Sequence, residues 1–237
     1  YKQFMRVLPE RRKRAVVLRR VLQYAAIVAG ILSCVYFFLK PIGSMDDLAI
    51  AYVDITIPNE RGVMLTLADG EKVVVGNEKR EVIFEKTGNV NIKQEGRNEL
   101  VYENVKISEK RNVEEEAMNE ITVPAGERVS IILSDGTKVW LNSESAIRYP
   151  VRFGIGKRVV TVKGNVYFEV TKDVSRPFFV VMKDMETEVL GTSFEVNTYG
   201  DHGEIYMALV EGCVRVRSGN HVVVAKPNEQ VALDLES

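Results

Sequence analysis

Pro124-Ala125-Gly126-Glu127-Arg128-Val129-Ser130-Ile131-Ile132-Leu133-Ser134-Asp135-Gly136-Thr137-Lys138-Val139-Trp140-Leu141 aligns without a gap on Pro58-Asn59-Glu60-Arg61-Gly62-Val63-Met64-Leu65-Thr66-Leu67-Ala68-Asp69-Gly70-Glu71-Lys72-Val73-Val74-Val75, at an offset of 66 residues. Each copy is an apolar run, an Asp-Gly pair and a second apolar run, which is the pattern of a β-hairpin. Asp-Gly predicts a tight type I′ turn with both central residues at positive φ. Two copies imply layered β structure, in which each unit buries its apolar face on the next. A solenoid or roll of stacked hairpins and a two-sheet sandwich both satisfy that requirement.

The period of two extends outward from the repeat. Val160, Val162, Gly164, Val166, Phe168 and Val170 share one face of a predicted half-buried strand, with Thr161, Lys163, Asn165, Tyr167, Glu169 and Thr171 on the other. Gly164 marks a bend or bulge in it. Shorter runs at Phe178–Met182, Phe194–Thr198, Val214–Arg217, His221–Ala225 and Gln230–Leu233 are separated by turn residues, as in all-β domains. Trp140, between Val139 and Leu141, reads as a core residue. Ser108 to Asn119, with Glu114-Glu115-Glu116, reads as a linker or a solvated turn.

The first forty residues differ from all of this. Residues 1–20 hold eight Lys/Arg against the single acid Glu10, a net +7 in a chain whose total is -1. Val21 to Leu39 then contains no charged residue, and as a helix it reaches the roughly 30 Å of a bilayer core. Tyr24 at one end and Tyr36, Phe37 and Phe38 at the other suit headgroup anchoring, and Lys40-Pro41 closes the helix. Basic residues before the run and Asp46-Asp47 after it predict a single span with the N-terminus in the cytoplasm. Three rival readings are weaker: against a cleaved signal peptide stand the length of the run and the lack of a small-residue cleavage signature after Leu39, against a lipid anchor at Cys34 the apolar residues that follow it, and against a buried helix of a soluble core the flanking charge asymmetry. The chain starts without Met, so further cytoplasmic sequence upstream is expected.

Composition narrows the chemistry. With 46% hydrophobic and 27% charged residues the bulk of the 237-residue chain should fold. Two cysteines, Cys34 and Cys213, and two histidines, His202 and His221, exclude zinc-finger and iron–sulfur scaffolds. Cys213 reads as a buried thiol and Asp201-His202 as part of a Gly-flanked turn. Gly154-Ile155-Gly156-Lys157 lacks the spacing and the following helix of a phosphate loop, and reads as a β-turn. Neither a nucleophile elbow nor metal-ligand spacing is present. No catalytic, cofactor-binding or metal residue is therefore assigned, and no cofactor is expected. The outward positions of the Gly164 strand and the turn from Arg152 to Arg158 are the surfaces considered for partners, and an exposed β-edge is a further one.

Residues 123 to 233 resemble the FecR family of transmembrane anti-sigma regulators. The matching stretches, in order, are Val123-Pro124-Ala125-Gly126-Glu127, Leu133-Ser134-Asp135-Gly136-Thr137-Lys138-Val139-Trp140-Leu141-Asn142, Arg158 to Val170, Arg176-Pro177-Phe178, Val189-Leu190-Gly191-Thr192-Ser193-Phe194-Glu195-Val196, and Leu209-Val210-Glu211-Gly212-x-Val214-x-Val216. Two departures are Asn165, where the family favours an acid, and Asn228, where it favours Gly; Asn tolerates positive φ, so that turn should survive.

The resemblance implies an all-β periplasmic domain behind one membrane helix. It implies a signal from a TonB-dependent outer-membrane transporter, passed to a cytoplasmic extracytoplasmic-function sigma factor, with stepwise proteolysis as one route across the membrane. The expected organisation is a basic cytoplasmic tail at 1–20, a transmembrane helix at 21–39, a periplasmic β region and linker at 40–122 and a FecR-like β domain at 123–237. The expected location is the inner membrane, with no direct contact to nucleic acid. A different class also fits: a membrane-anchored carbohydrate- or envelope-binding β module, using Trp140 and outward tyrosines as stacking faces.

Overall fold

In both copies of the repeat the strands pair in the same register, as the gapless alignment requires. Val63–Thr66 (β1) meets Lys72–Val75 (β2) with Val63 opposite Val75 and Thr66 opposite Lys72. Sixty-six residues on, Val129 lies opposite Leu141 and Ile132 opposite Lys138. The turns match bond for bond: Gly70 N–H donates to Leu67 C=O at 2.9 Å and Leu67 N–H to Glu71 C=O at 2.8 Å, while Gly136 donates to Leu133 and Leu133 to Thr137, each at 2.9 Å. The loop is thus three residues long and not the type I′ turn expected. Only the glycines, at φ +87° and +83°, have positive φ. Each Asp acts through its side chain, accepting the N–H two residues on at 3.0 Å.

The computed structural model describes residues 52–57, 62–76, 83–85, 90–95, 98–104, 117–199 and 204–233. The basic tail, the apolar run at 21–39, Cys34, Glu114–Glu116 and His202 lie outside them. Among the described residues no helix is long and apolar enough to cross a membrane.

The described strands form two nine-stranded sheets between which the chain shuttles. β1 and β2 lie in the first sheet. Ile83–Glu85 (β3), Val90–Glu95 (β4) and Glu99–Asn104 (β5) lie in the second, Met118–Val123 (β6) in the first, and Val129–Ile132 (β7) and Lys138–Leu141 (β8) in the second. Ser145–Pro150 (β9) and Arg158–Lys163 (β10) return to the first, Asn165–Glu169 (β11) crosses to the second, and Phe178–Val181 (β12) and Glu186–Val189 (β13) cross back. Ser193–Asn197 (β14) and Ile205–Glu211 (β15), then Val214–Ser218 (β16) and His221–Ala225 (β17), and last Gln230–Leu233 (β18), continue the alternation.

Of the two architectures the repeat allowed, the structure is the two-sheet one. The orders are β17-β16-β13-β12-β10-β9-β6-β1-β2 and β18-β15-β14-β11-β8-β7-β5-β4-β3, so the copies of the repeat sit in different sheets. Pairing runs unbroken through residues 122–123, since β6 bonds both β1 and β9, and Ile50–Ser237 forms one unit.

One apolar cluster draws on the inner faces of both sheets. Phe168 of β11 stacks on Phe194 of β14 within the second sheet, with ring centroids 5.2 Å apart, and meets Phe178 of β12 across the core at 6.1 Å. Each such buried ring stabilises the fold by about 1.5–3 kcal/mol. A polar thread also crosses the core: Tyr102 and Tyr149 share a hydroxyl–hydroxyl bond of 2.7 Å, and Asn119 Nδ2 donates to Tyr102 Oη at 2.7 Å. Met118 and Asn119 are therefore strand residues, where a linker was expected.

The stretch from Val160 to Val170 is not one strand. It is β10 and β11, in different sheets, and Gly164 is the corner between them. Its φ is +96°, and a Cβ there would stand 2.4 Å from Ser145 Oγ and 2.6 Å from Ser145 Cα. The apolar period survives the crossing because the inner faces of both sheets border the same core.

Candidate functional site

Residues of the recurring motifs gather at one end of the sandwich, around Arg158. This residue was considered as a partner-contact surface, but it is wholly buried, at 0% exposure. Its Nη1 donates to Asp135 Oδ2 at 2.7 Å and to Thr171 C=O at 2.9 Å, and its Nε donates to Arg176 C=O at 2.8 Å. The guanidinium lies over the Phe178 ring, 5.3 Å from its centroid. Arg158 N–H bonds Pro177 C=O at 2.8 Å. Asp-Gly-Thr, Arg158 and Arg-Pro-Phe are thus parts of one staple joining the two sheets. A buried charge is tolerable because its counter-ion and carbonyls replace water.

The supports of this staple are built from short polar turns. Thr137 Oγ1 donates to Asp135 Oδ2 at 2.7 Å and accepts from Thr171 N–H at 3.2 Å. Asp173 accepts from Ser175 Oγ at 2.6 Å and from Arg176 Nε at 2.8 Å, and these bonds, that from Ser175 first, hold its carboxyl well below the usual range. Gly191 and Gly212 permit close approach: a Cβ would stand 2.6 Å from Lys172 Cα and 2.7 Å from Thr192 Oγ1 respectively. The first sheet adds a second screened pair, Glu188 with Arg215 at 2.7 Å. Burial, opposed by Arg217, raises the pKa of neighbouring Glu186.

The outer face of the second sheet is different in kind. Val139 and Leu141 point into the core, so Trp140 between them must point out, and it is 36% exposed where a core position was expected. Register places Tyr167 opposite Trp140, Glu195 opposite Tyr167 and Ala208 opposite Glu195. The Trp140 and Tyr167 rings lie 5.5 Å apart with their planes inclined at 50°. Two residues along the strands in one direction come Asn142, Asn165, Asn197 and Tyr206. In the other come Lys138, Glu169 and Ser193.

The amides on this face are fixed by one another. Asn142 Nδ2 donates to Asn165 Oδ1, and Asn165 Nδ2 donates to Glu195 Oε1. Asn197 Nδ2 reaches Tyr206 Oη at 3.4 Å. Lys138 and Glu169 form a loose ion pair at 3.9 Å. Beside them an open groove of about 480 Å³ is lined by residues including Thr171, Gly191, Thr192 and Glu211.

A second hollow, of about 790 Å³, lies at the Gly164 corner between Thr56, Ile57, Lys163, Glu144 and Tyr199. Tyr199 Oη donates to Glu144 C=O, and burial, aided by the Glu144 charge, pushes its pKa up to about 12. Lys163 Nζ donates to Ile55 C=O at 3.0 Å and pairs with Asp54 at 3.3 Å, clasping residues 52–57 with Ile55 buried.

The remaining sequence expectations fall as follows. His221 opens β17, on an edge of the first sheet, and is exposed. Gly154–Lys157 is a bend at residues 155–156 ahead of β10, with Gly156 at φ +103° and Ile155 fully exposed. Asn228 adopts φ +68°, as its turn requires. Cys213 is half-buried, not buried as expected, because the Gly212 turn holds it near the surface; its C=O accepts Thr192 Oγ1 at 3.2 Å. Among the described residues no group of three or more His, Cys, Asp or Glu is placed to hold a metal ion.

Residues 119–215 match the family model described as FecR protein, which bears out the resemblance carried by the ordered motifs. Two solved structures, each described as a proposed anti-sigma factor from Parabacteroides distasonis ATCC 8503, are similar over part of the chain. The first, at 2.50 Å, is 34% identical over 49% of this chain and 55% of that one, with a TM-score of 0.48. The second, at 1.65 Å, is 35% identical over 48% and 54%, with a TM-score of 0.47. The match therefore spans about half the length of those chains. A search of the curated proteins finds no match.

Proposed function

We propose that this FecR-domain chain is a single-pass inner-membrane anti-sigma regulator. The observation that carries the reading is the FecR match over residues 119–215, which coincides with the motif residues that build the Arg158 staple. In this reading the β-domain is periplasmic, Val21–Leu39 crosses the membrane, and the basic tail at 1–20 belongs to the side that meets an extracytoplasmic-function sigma factor. The input comes from the signalling domain of a TonB-dependent outer-membrane transporter.

The geometry supports a rigid receiver. The staple and its turns tie the two sheets together, so a partner pulling on one displaces both. The clasp of Lys163 on residues 52–57 would carry that displacement into the segment that follows the apolar run. Of the strands described, β17 and β18 end the two sheets on one side and offer unpaired backbone donors and acceptors to an added strand. Proteolysis in the periplasm and then in the membrane would release the cytoplasmic part.

Affinity purification of the full-length protein from solubilised membranes, followed by mass spectrometry, tests the reading. Recovery of a sigma factor supports it, and a TonB-dependent transporter in the same eluate supports the relay. Reproducible absence of any sigma factor from an intact preparation overturns it.

A further inference from the structure

The outer face of the second sheet carries chemistry that neither the staple nor the proposed relay uses. We propose that it binds a neutral oligosaccharide, which stacks on Trp140 and Tyr167 and is held by the amide and carboxylate side chains around them.

Four features lead there. Trp140 and Tyr167 are cross-strand neighbours with exposed ring surface, and the negative face of an aromatic ring attracts the C–H-rich face of a pyranose. Sugar hydroxyls both donate and accept, and Asn165, with both a carbonyl oxygen and an amide nitrogen, and Glu195 flank the rings with matching capacity. The hydrogen bonds linking Asn142, Asn165 and Glu195 hold these groups in place before any ligand arrives, which lowers the ordering cost of binding. From Lys138 through Trp140 to Asn142 the array runs roughly 14 Å along the strand, the scale of a di- or trisaccharide, and it opens into the groove beside Glu169.

The same residues argue against other occupants. A protein interface of ordinary strength is depleted of charge at its centre, whereas Glu195 stands opposite Tyr167 and Lys138 and Glu169 stand two residues along from the Trp140–Tyr167 pair. Nucleic acid and anionic polymers need a cationic track, whereas Lys138 stands opposite Glu169 with Glu195 nearby. A neutral glycan fits both constraints.

Trp140 is the only tryptophan in the chain, so its emission reports on this face directly. The full chain, in a detergent without a sugar headgroup, is titrated with cellohexaose, xylohexaose, maltohexaose, mannohexaose and hexa-N-acetylchitohexaose. The expected result is a saturable change in Trp140 emission with at least one of them. Tyr167→Ala and Asn165→Ala should each weaken that sugar roughly tenfold or more, while Tyr167→Phe, which keeps the ring, stays within roughly threefold. Circular dichroism checks that each variant is folded. Lack of a saturable response to all five sugars overturns the proposal, as does an unchanged response in folded Tyr167→Ala. The outcome is independent of whether a sigma factor co-purifies.

Discussion

The two hairpins of the repeat have one register and one turn, yet they do different things. Asp69 of the first is exposed, holds its own turn and makes no ion pair among the described residues. Asp135 of the second holds the same turn and, at 4% side-chain exposure, also neutralises Arg158. Glu71 after the first turn is solvated, whereas Thr137 after the second is buried and bonds both Asp135 and Thr171. A local sequence can thus specify its hairpin in full, while its place in the sandwich decides whether the turn stays a turn or becomes a structural joint.

The largest expected effect comes from emptying that joint. Arg158→Met leaves a buried carboxylate without its counter-ion and three carbonyl or carboxylate bonds unmade. It should destabilise the domain by about 3–5 kcal/mol, read as a fall in the chemical denaturation midpoint. A loss below about 1 kcal/mol would make the two hairpins equivalent after all.

The turn glycines sharpen the contrast at smaller amplitude. Gly70→Ala meets no atom within 4 Å and carries only the left-handed strain, about 1–2 kcal/mol. Gly136→Ala carries the same strain and also presses on Thr171 Oγ1 at 3.3 Å, beside the carbonyl that Arg158 bonds. It should unfold at lower denaturant than Gly70→Ala.

The smallest effect is in pH dependence beside the first hairpin. Glu120, opposite Thr66, has its pKa raised by burial against the pull of Arg148 and Lys72. The folded state then holds that proton more tightly than the unfolded one. Stability falls as pH rises from the ordinary carboxyl value through the raised one. Glu120→Gln should flatten this part of the stability–pH profile. A profile unchanged by the substitution would show that burial does not govern this group.

Much of the fold was legible. Period-two alternation located strands such as β2, β17 and β18 to the residue, and the Asp-Gly repeat located both hairpins, but the type I′ turn it suggested would set the pairing one residue away from the register observed. Strands β4 and β5 escaped notice because Lys93, Gln94 and Glu99 interrupt the apolar signal, and β6 because it buries Asn119. The split at Gly164 was visible only as a bend, since alternation cannot say that the two halves of a run lie in different sheets.

The sites were less legible. That Trp140 faces outward was implicit in the repeat, because Val74, its counterpart, is equally exposed between inward Val73 and Val75. Arg158 reads as a surface residue because charge next to a Gly-rich turn ordinarily is one. Its partners Asp135, Thr171 and Arg176 come from three separate segments, and only the fold brings them together.

The most direct test compares Asp69→Asn with Asp135→Asn by equilibrium denaturation. Asn keeps the side-chain oxygen that closes each turn, removes the charge and puts an NH2 in place of the second oxygen, which at Asp135 is the acceptor for Arg158 and Thr137. Asp69→Asn should change stability by less than about 0.5 kcal/mol, and Asp135→Asn should cost about 3–5 kcal/mol by leaving Arg158 buried and unpaired. Equal small effects at the two positions would contradict the claim that the second hairpin is the joint of this domain.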